Sequence, residues 1–502
     1  MTQLKTLEGE RFSAVNIPGG FEKYFEDCQE IPPIRECTNL LHDLQIDQPE
    51  LGRQMKRLEI WQLDPVDEME RHLIFMETSN CKRALMVICQ DQLVPAERHH
   101  AYGTLSVIGG TGVYSTPEDR SPIEFALEHT LSLALAMRHK TTMSGLRRHF
   151  GLSGMKATVV MESGKSGLSD WEKSSALQEA TGWLYSPQRL SRALTGTDAR
   201  QTPETIGAMA RGSALAVEDG RNAQICGTRE NFDTPGACRY SMEATIDALI
   251  DNLPDTPDFK DSVVSIPGFG RIGYTAVKLA LDRGARQIYL SDMKLPVDEL
   301  GIPLITDPEF DQELYQRLLE LQEDYPGQKV VLVAPNDIYR QKADIFMPCS
   351  SQEEQLTEIT LKELKEAGVK VVLAGANNIL KKGNKWQLAN LAAKLGMVMP
   401  PEVLSNCGSV TMAGMERLYF YLRETDTEYM ELPDDEAEKK FVREHVIPFV
   451  RDNAQEMIST LLEIAREMKT DIYTAGEIWY LRQFEIEANV DENGVLQNIP
   501  AS

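Results

Sequence analysis

The chain has 502 residues, enough for two large domains rather than one. Its 42% hydrophobic and 26% charged residues match a globular protein that buries sizeable cores. The formal charge of -25 argues against nucleic acid as a partner, because phosphate binding needs concentrated positive charge. The opening MTQLKTLEGERF has no apolar signal core, and no stretch reaches the ~18 apolar residues of a membrane span. No membrane partner is therefore expected, and the expected compartment is cytoplasmic. The cysteines (Cys28, Cys37, Cys81, Cys89, Cys226, Cys238, Cys349, Cys407) form no C-x-x-C and read as reduced thiols.

In chain order, residues 1–60 are mixed polar, with a break at Pro32-Pro33, and are expected as helices and loops at a domain edge. RHLIFME (71–77) and RALMVICQ (83–90) are short apolar runs between polar turns, which predicts strands. Ser121-Pro-Ile-Glu124 has the pattern of a capping box with proline at the first helical position. It opens a helix to about Lys140, with Ile123, Ala126, Leu127, Leu131 and Leu135 along one stripe.

A second rhythm starts near 261: a strand at Asp261–Ile266, a helix over 271–283 and a strand at Arg286–Leu290. Further strands are expected at Val330–Ala334 and Val369–Ala374, with helices between them. Alternating strands and helices with nearly continuous apolar strands predict a parallel, doubly wound sheet. After 405 the chain reads as mostly helical, and the charged stretch from Asp434 to Lys469 as a solvated helix face.

The turn of the first βαβ unit reads Gly268-Phe269-Gly270-Arg271-Ile272-Gly273. Such a triplet alone is weak, but here a strand precedes it, a helix follows, and the next strand ends at Asp292. Gly268 suits a tight turn, Gly270 lets the backbone approach a pyrophosphate, and Gly273 lets the helix pack close to the strand. The helix N-terminus offers free N–H groups and positive dipole to phosphate. Asp292 is placed to accept a hydrogen bond from a ribose 2′-hydroxyl and to repel a 2′-phosphate, favouring NAD. Neighbouring Lys294 keeps NADP possible.

Around this turn the chain resembles the glutamate/leucine/phenylalanine/valine dehydrogenase family, from about residue 65 to near the C-terminus. Ile108-Gly109-Gly110-Thr111 resembles the family's glycine-rich substrate loop. Met137-Arg-His-Lys140, Gly145-Leu146 and Gly151-Leu-Ser-Gly-Met-Lys156 resemble its two-lysine signature. Asp198 stands before Ile206-Gly207-Ala-Met209 at the spacing of its catalytic aspartate. Asp344-Ile-Phe-Met-Pro348-Cys349 and Ala374-Gly-Ala-Asn377-Asn378 resemble cofactor-domain motifs. Asn406-Cys-Gly408-Ser-Val410 and Asp471-Ile-Tyr-Thr-Ala475 complete the order.

The resemblance implies an α/β protein with a Rossmann-type cofactor domain at 206–404. A substrate and oligomerisation domain would occupy 1–205, with 405–502 packing back on it, in a homo-oligomer. It implies NAD-dependent oxidative deamination of an L-amino acid to the 2-oxo acid and ammonia. Lys140 would pair with the substrate carboxylate, Lys156 in a small-residue loop before Thr158–Met161 would act as base towards water, and Asp198 would move protons at the amino group. Thr234 and Asn377 would contact the nicotinamide end. Glutamate-specific relatives carry a lysine and a serine at the positions of Ile108 and Ala413, and a glutamine at that of Met137, so an apolar substrate is expected over glutamate. The alternatives are a glutamate dehydrogenase and a catalytically silent dinucleotide-binding homologue. The chain departs from the family at Gly112, where arginine is usual, at the Ser-Gly-Met before Lys156, and at Arg147–Phe150, an insertion. His99, His100 and His139 have no ligand spacing around them, so no metal is expected.

Overall fold

The two apolar runs at 71–77 and 83–90 become the centre of a seven-stranded sheet. Its strands are β1 (Ile34–Asn39), β2 (Met55–Val66), β3 (Met69–Thr78), β4 (Arg83–Asp91), β5 (Val107–Tyr114), β6 (Ser153–Met161) and β7 (Ala193–Gly196). The order is β1-β2-β3-β4-β6-β5-β7, antiparallel from β1 to β6 and parallel from β6 to β7. The computed structural model describes residues 3–4, 15–16, 20–25, 28, 32–95, 97, 99–114, 116, 120–161, 175–186, 189–190, 192–196, 203–213, 225–227, 229–232, 236–298, 300–350, 352, 354–381 and 383–497. They divide into two units, Met1–Phe232 with Met412–Phe441, and Asp233–Thr411 with Val442–Ser502.

Two corrections to the sequence reading concern this sheet. Within 1–60, residues 34–39 and 55–60 are strand and not helix or loop, whereas Leu41–Asp47 and Pro49–Gln54 are helices as expected. In 55–66 the buried residues fall on both faces, Leu58 in one core cluster and Trp61 and Leu63 in the other, so no clean period-two run marks the strand. The helix α1 (Pro122–Met143) begins at Ser121 with Pro122 at its first position, but the Ser121 side chain makes no capping hydrogen bond, so the capping box does not form. The expected stripe does pack: Ile123, Ala126 and Leu127 are buried in a cluster with Leu73, Phe75, Leu85 and Val87. On the other sheet face, α2 (Ser175–Leu184) and α3 (Pro203–Gly212) cover Ile74, Met76, Met86 and Ile88.

The second unit holds five parallel strands, β8 (Val263–Pro267), β9 (Gln287–Ser291), β10 (Lys329–Leu332), β11 (Ile345–Phe346) and β12 (Val371–Val372). Their order is β10-β9-β8-β11-β12, so the winding reverses between β8 and β11. Helices on the sheet complete a Rossmann-type doubly wound fold. The unit boundaries differ from those expected. Only Met412–Phe441 returns to the first unit, whereas Val442–Ser502 clusters with the second. The amphipathic helix Ile447–Met468 buries Val450, Met457, Ile458 and Leu461 and packs on helix Cys238–Asn252, and Tyr473 joins the core of β8, β11 and β12.

In the returning segment, Glu416 is wholly buried and accepts a hydrogen bond from the Gly227 N–H at 2.8 Å. Burial pushes its carboxyl up from 4.5 to about 7, against the pull of that N–H and of Arg229. The folded chain thus keeps this proton to higher pH than the unfolded chain. The stability contribution is full below about pH 4.5 and is lost as pH rises through about 7. Glu416→Gln, which cannot ionise, should flatten the fall in melting temperature between those pH values; an unchanged slope would contradict the assignment.

Candidate active site

The first unit assembles its site where α1 ends on β6. Gly154 makes that approach possible: a Cβ there would lie 2.1 Å from the Arg138 nitrogen and 2.6 Å from the Met137 carbonyl carbon. The last turns of α1, which carry Met137 and Lys140, therefore lie flush on the strand. Lys156 leaves the same strand face two residues later, since side chains alternate with period two. It is not in a loop, as the sequence suggested. Ser153–Met161 is one continuous strand because β4 and β6 pair without a break, with Cys89 opposite Lys156.

Strand β5 supplies the neighbouring wall. Ile108 lies opposite Gly154 and Thr111 opposite Ala157, and this constant offset sets Gly110 beside Lys156. Gly109 turns to the other face, close against the Met155 carbonyl. Lys140 and Lys156 are 9% and 7% exposed. Ala413 is buried on the helix Gly408–Thr425, one residue from Gly414, where a Cβ would lie 3.0 Å from the Leu146 side chain. Ile108, Gly110, Met137, Lys140, Lys156 and the Ala413 helix are thus gathered around the segment between the two lysines. Asp198 and Thr234 lie outside the described residues.

One polar cluster, not anticipated from the sequence, ties this segment down. Asp91, at the end of β4, is 0% exposed. Its carboxylate accepts from the Ser153 hydroxyl, and faces Arg138 at 3.5 Å and Arg147 at 3.4 Å. Arg147 also donates to the Ser153 hydroxyl at 2.9 Å. The inserted residues 147–150 thus form part of the short helix Leu146–Phe150 and clamp the strand just before Lys156. Alternation of polar and apolar residues could not have disclosed a bond across 62 positions.

In the second unit the glycine turn follows β8 and starts helix Arg271–Asp282, with Gly270 as its N-cap. Gly268 has φ 93°, and a Cβ on Gly273 would sit 1.9 Å from the Gly268 carbonyl oxygen. A Cβ on Gly270 would meet nothing within 4 Å, so the space over this helix start is left open. Phe269 is buried, Ile272 half-buried and Arg271 exposed. Asp292 follows the end of β9, accepting from the Phe269 N–H at 2.7 Å and the Lys294 N–H at 2.9 Å. The Lys294 ammonium is drawn off to Asp311 at 3.3 Å. Hydrogen bonds from the backbone at Leu314 hold the Asp311 carboxyl below its usual range, with Lys294 adding to the effect. Asn377 is exposed, its side-chain oxygen accepting from Asn406 at 2.9 Å. Open N–H groups at a helix start, an acid beside them and room above Gly270 fit a dinucleotide. Among the described residues no histidine, cysteine and carboxylate group could hold a metal ion, and no helix is long and apolar enough to cross a membrane.

Residues 232–478 match the family model described as glutamate/leucine/phenylalanine/valine dehydrogenase. A leucine dehydrogenase of Geobacillus stearothermophilus is 25% identical over 400 residues, covering 77% of this chain and 93% of that protein. A phenylalanine dehydrogenase of Lysinibacillus sphaericus is 24% identical over 359 residues, covering 71% and 81% respectively. Among solved structures, L-tryptophan dehydrogenase from Nostoc punctiforme covers 88% of this chain and 98% of its own, with TM-score 0.51 at 16% identity, a likeness of fold.

The close contact at Gly154 predicts that Gly154→Ala forces α1 off β6. Overpacking of this kind costs about 1–3 kcal/mol, or about 2–4 °C of melting temperature per kcal/mol. A variant that melts with the wild type would show that the contact gives way freely.

Proposed function

The chain belongs to the glutamate/leucine/phenylalanine/valine dehydrogenase family and is an amino-acid dehydrogenase using a nicotinamide cofactor, and on that premise we propose that it oxidatively deaminates an apolar L-amino acid with NAD. The observation that carries this reading is the gathering of two buried lysines with Ile108, Gly110 and Met137 at the α1–β6 contact. Lys140 supplies the cation for the α-carboxylate. Ile108, Met137 and Ala413 offer a side chain no cation, and an unpaired buried γ-carboxylate costs several kcal/mol. Apolar substrates are therefore favoured over glutamate, in keeping with the leucine and phenylalanine specificities in the relatives' names.

Residues 268–273 would hold the pyrophosphate, Asp292 the adenosine ribose, and Thr234 and Asn377 the nicotinamide end. A nicotinamide held there would supply the acceptor for the hydride on the substrate Cα. Lys156 then takes a proton from the water that adds to the imino carbon. Asp198 delivers the proton with which ammonia leaves, so that one water is consumed and the 2-oxo acid remains. Asp91 acts on this chemistry through Arg138, Arg147 and Ser153, by fixing where Lys140 and Lys156 stand. We assign the Val442–Ser502 segment to the cofactor unit and infer a homo-oligomer acting on a small amino acid or 2-oxo acid.

Cofactor reduction measured over the twenty amino acids with NAD and with NADP tests the reading. Leucine, valine, phenylalanine or tryptophan should lead in kcat/KM, and glutamate ahead by about tenfold would overturn the apolar assignment. Lys156→Ala should lose at least about 10² in kcat while still binding dinucleotide. Asp292→Ser should weaken NAD and improve NADP; a wild type that already prefers NADP would contradict the role given to this acid.

A further inference from the structure

The sheet of the first unit carries a second polar site on the face turned away from Lys156. Cys89 and Asp91 face α1, so Gln90 between them points to the opposite side. There a cavity of about 300 Å³ opens over the sheet, reaching β1–β4 and the segment around Arg189–Arg192. Register explains its lining: Glu36, Gln62 and His72 form one row across three strands, and Glu70 stands opposite Gln90 in the next. Every one of these projects to the cavity side, where a sheet packed on apolar helices would place aliphatic residues.

Two groups in the lining are buried without a partner. Gln90 is 1% exposed; its side-chain oxygen accepts from Arg192 at 3.2 Å, yet its side-chain N–H₂ has no acceptor. His72 is 7% exposed; its Nε2 lies 3.3 Å from Glu70, yet its Nδ1 has no partner. Buried polar groups left this way are few in folded proteins and cost about 1–3 kcal/mol each, so an occupant is called for. Glu70 is pinned in its charged state, held below the usual carboxylate range first by the hydrogen bond from His72 and then by Arg192. Two carboxylates, Glu36 and Glu70, and two guanidiniums, Arg189 and Arg192, line the cavity. Arg192 pairs with Glu70, and Arg189 with Asp47 at 2.9 Å and Asp43 at 3.6 Å, so the lining presents both signs of charge side by side. Ile60 and Leu190 leave room for a short apolar stem.

We propose that this cavity binds a small zwitterion, a molecule with one carboxylate and one amine, at a site separate from the two lysines. The carboxylate takes the free N–H₂ of Gln90 beside the Arg192 guanidinium. The amine takes the Nδ1 lone pair of His72 and the carboxylate of Glu36. Because Gln90 stands directly between Cys89, which pairs with Lys156, and Asp91, an occupant would bear on the strand that carries the clamp.

Calorimetric titration of the full chain with β-alanine, and with acetate and methylamine as its two halves, tests this. β-Alanine should bind saturably, with Kd in the range of about 0.01–1 mM expected of so small a ligand. Lys140→Ala should leave that affinity unchanged, whereas Gln90→Leu and His72→Phe should each weaken it about tenfold or more, the fold-change expected for a lost charge-assisted hydrogen bond. Arg192→Met, at a half-exposed position, carries the same expectation if the buried variants melt early. No saturable binding, loss with Lys140→Ala, equal affinity in the cavity variants, or acetate or methylamine binding as well as β-alanine would each overturn the proposal.

Discussion

A carboxylate sealed from solvent holds together the part of the first unit that carries the two lysines. Asp91 is fully buried, and the partners that make this tolerable, Arg138, Arg147 and Ser153, each belong to the segment between the two lysines or to its flanks. A buried charge is stable only when paired and hydrogen-bonded, and removing one partner from such a cluster costs about 3–5 kcal/mol. The cluster therefore forces helix end, inserted turn and strand start into one arrangement. Gly154 lets the end of α1, which carries Lys140, lie flush on the strand that carries Lys156.

The second unit presents its helix start to a different problem, that of accepting negative charge in a protein whose net charge is -25. It does so with backbone rather than side chains. The N–H groups at the start of helix Arg271–Asp282 and the open space over Gly270 suit a pyrophosphate without any lysine. Asp292 is locked by the Phe269 and Lys294 N–H groups, while Asp311 occupies the Lys294 ammonium. Lys294, the cation beside Asp292, is thereby paired with Asp311.

The two faces of the mixed sheet also divide labour. Lys156 and Asp91 are on the face towards α1, while the far face is apolar under α2 and α3 and turns polar towards the ends of β1–β4. Because side chains alternate along a strand, consecutive residues such as Cys89, Gln90 and Asp91 serve different faces.

The Rossmann-type unit was legible in the sequence because each of its signals is local. A parallel strand is buried on both faces and reads as an apolar run, a turn of fixed shape needs glycines at fixed offsets, and Asp292 falls at the end of the next strand. The lysine motifs were legible as well, within α1 and just before Thr158. What only the tertiary structure decided depends on pairing between distant segments. Strand β2 hid because its buried residues fall on both faces, an outcome that depends on its neighbours. Lys156 became a strand residue because β4 runs alongside it. Residues 147–150 gained a purpose only through Asp91, and Val442–Ser502 joined the second unit because helix Ile447–Met468 found its apolar partner there. Local propensity and motif spacing act over a few residues; burial and charge pairing act across the fold, and they settled these positions.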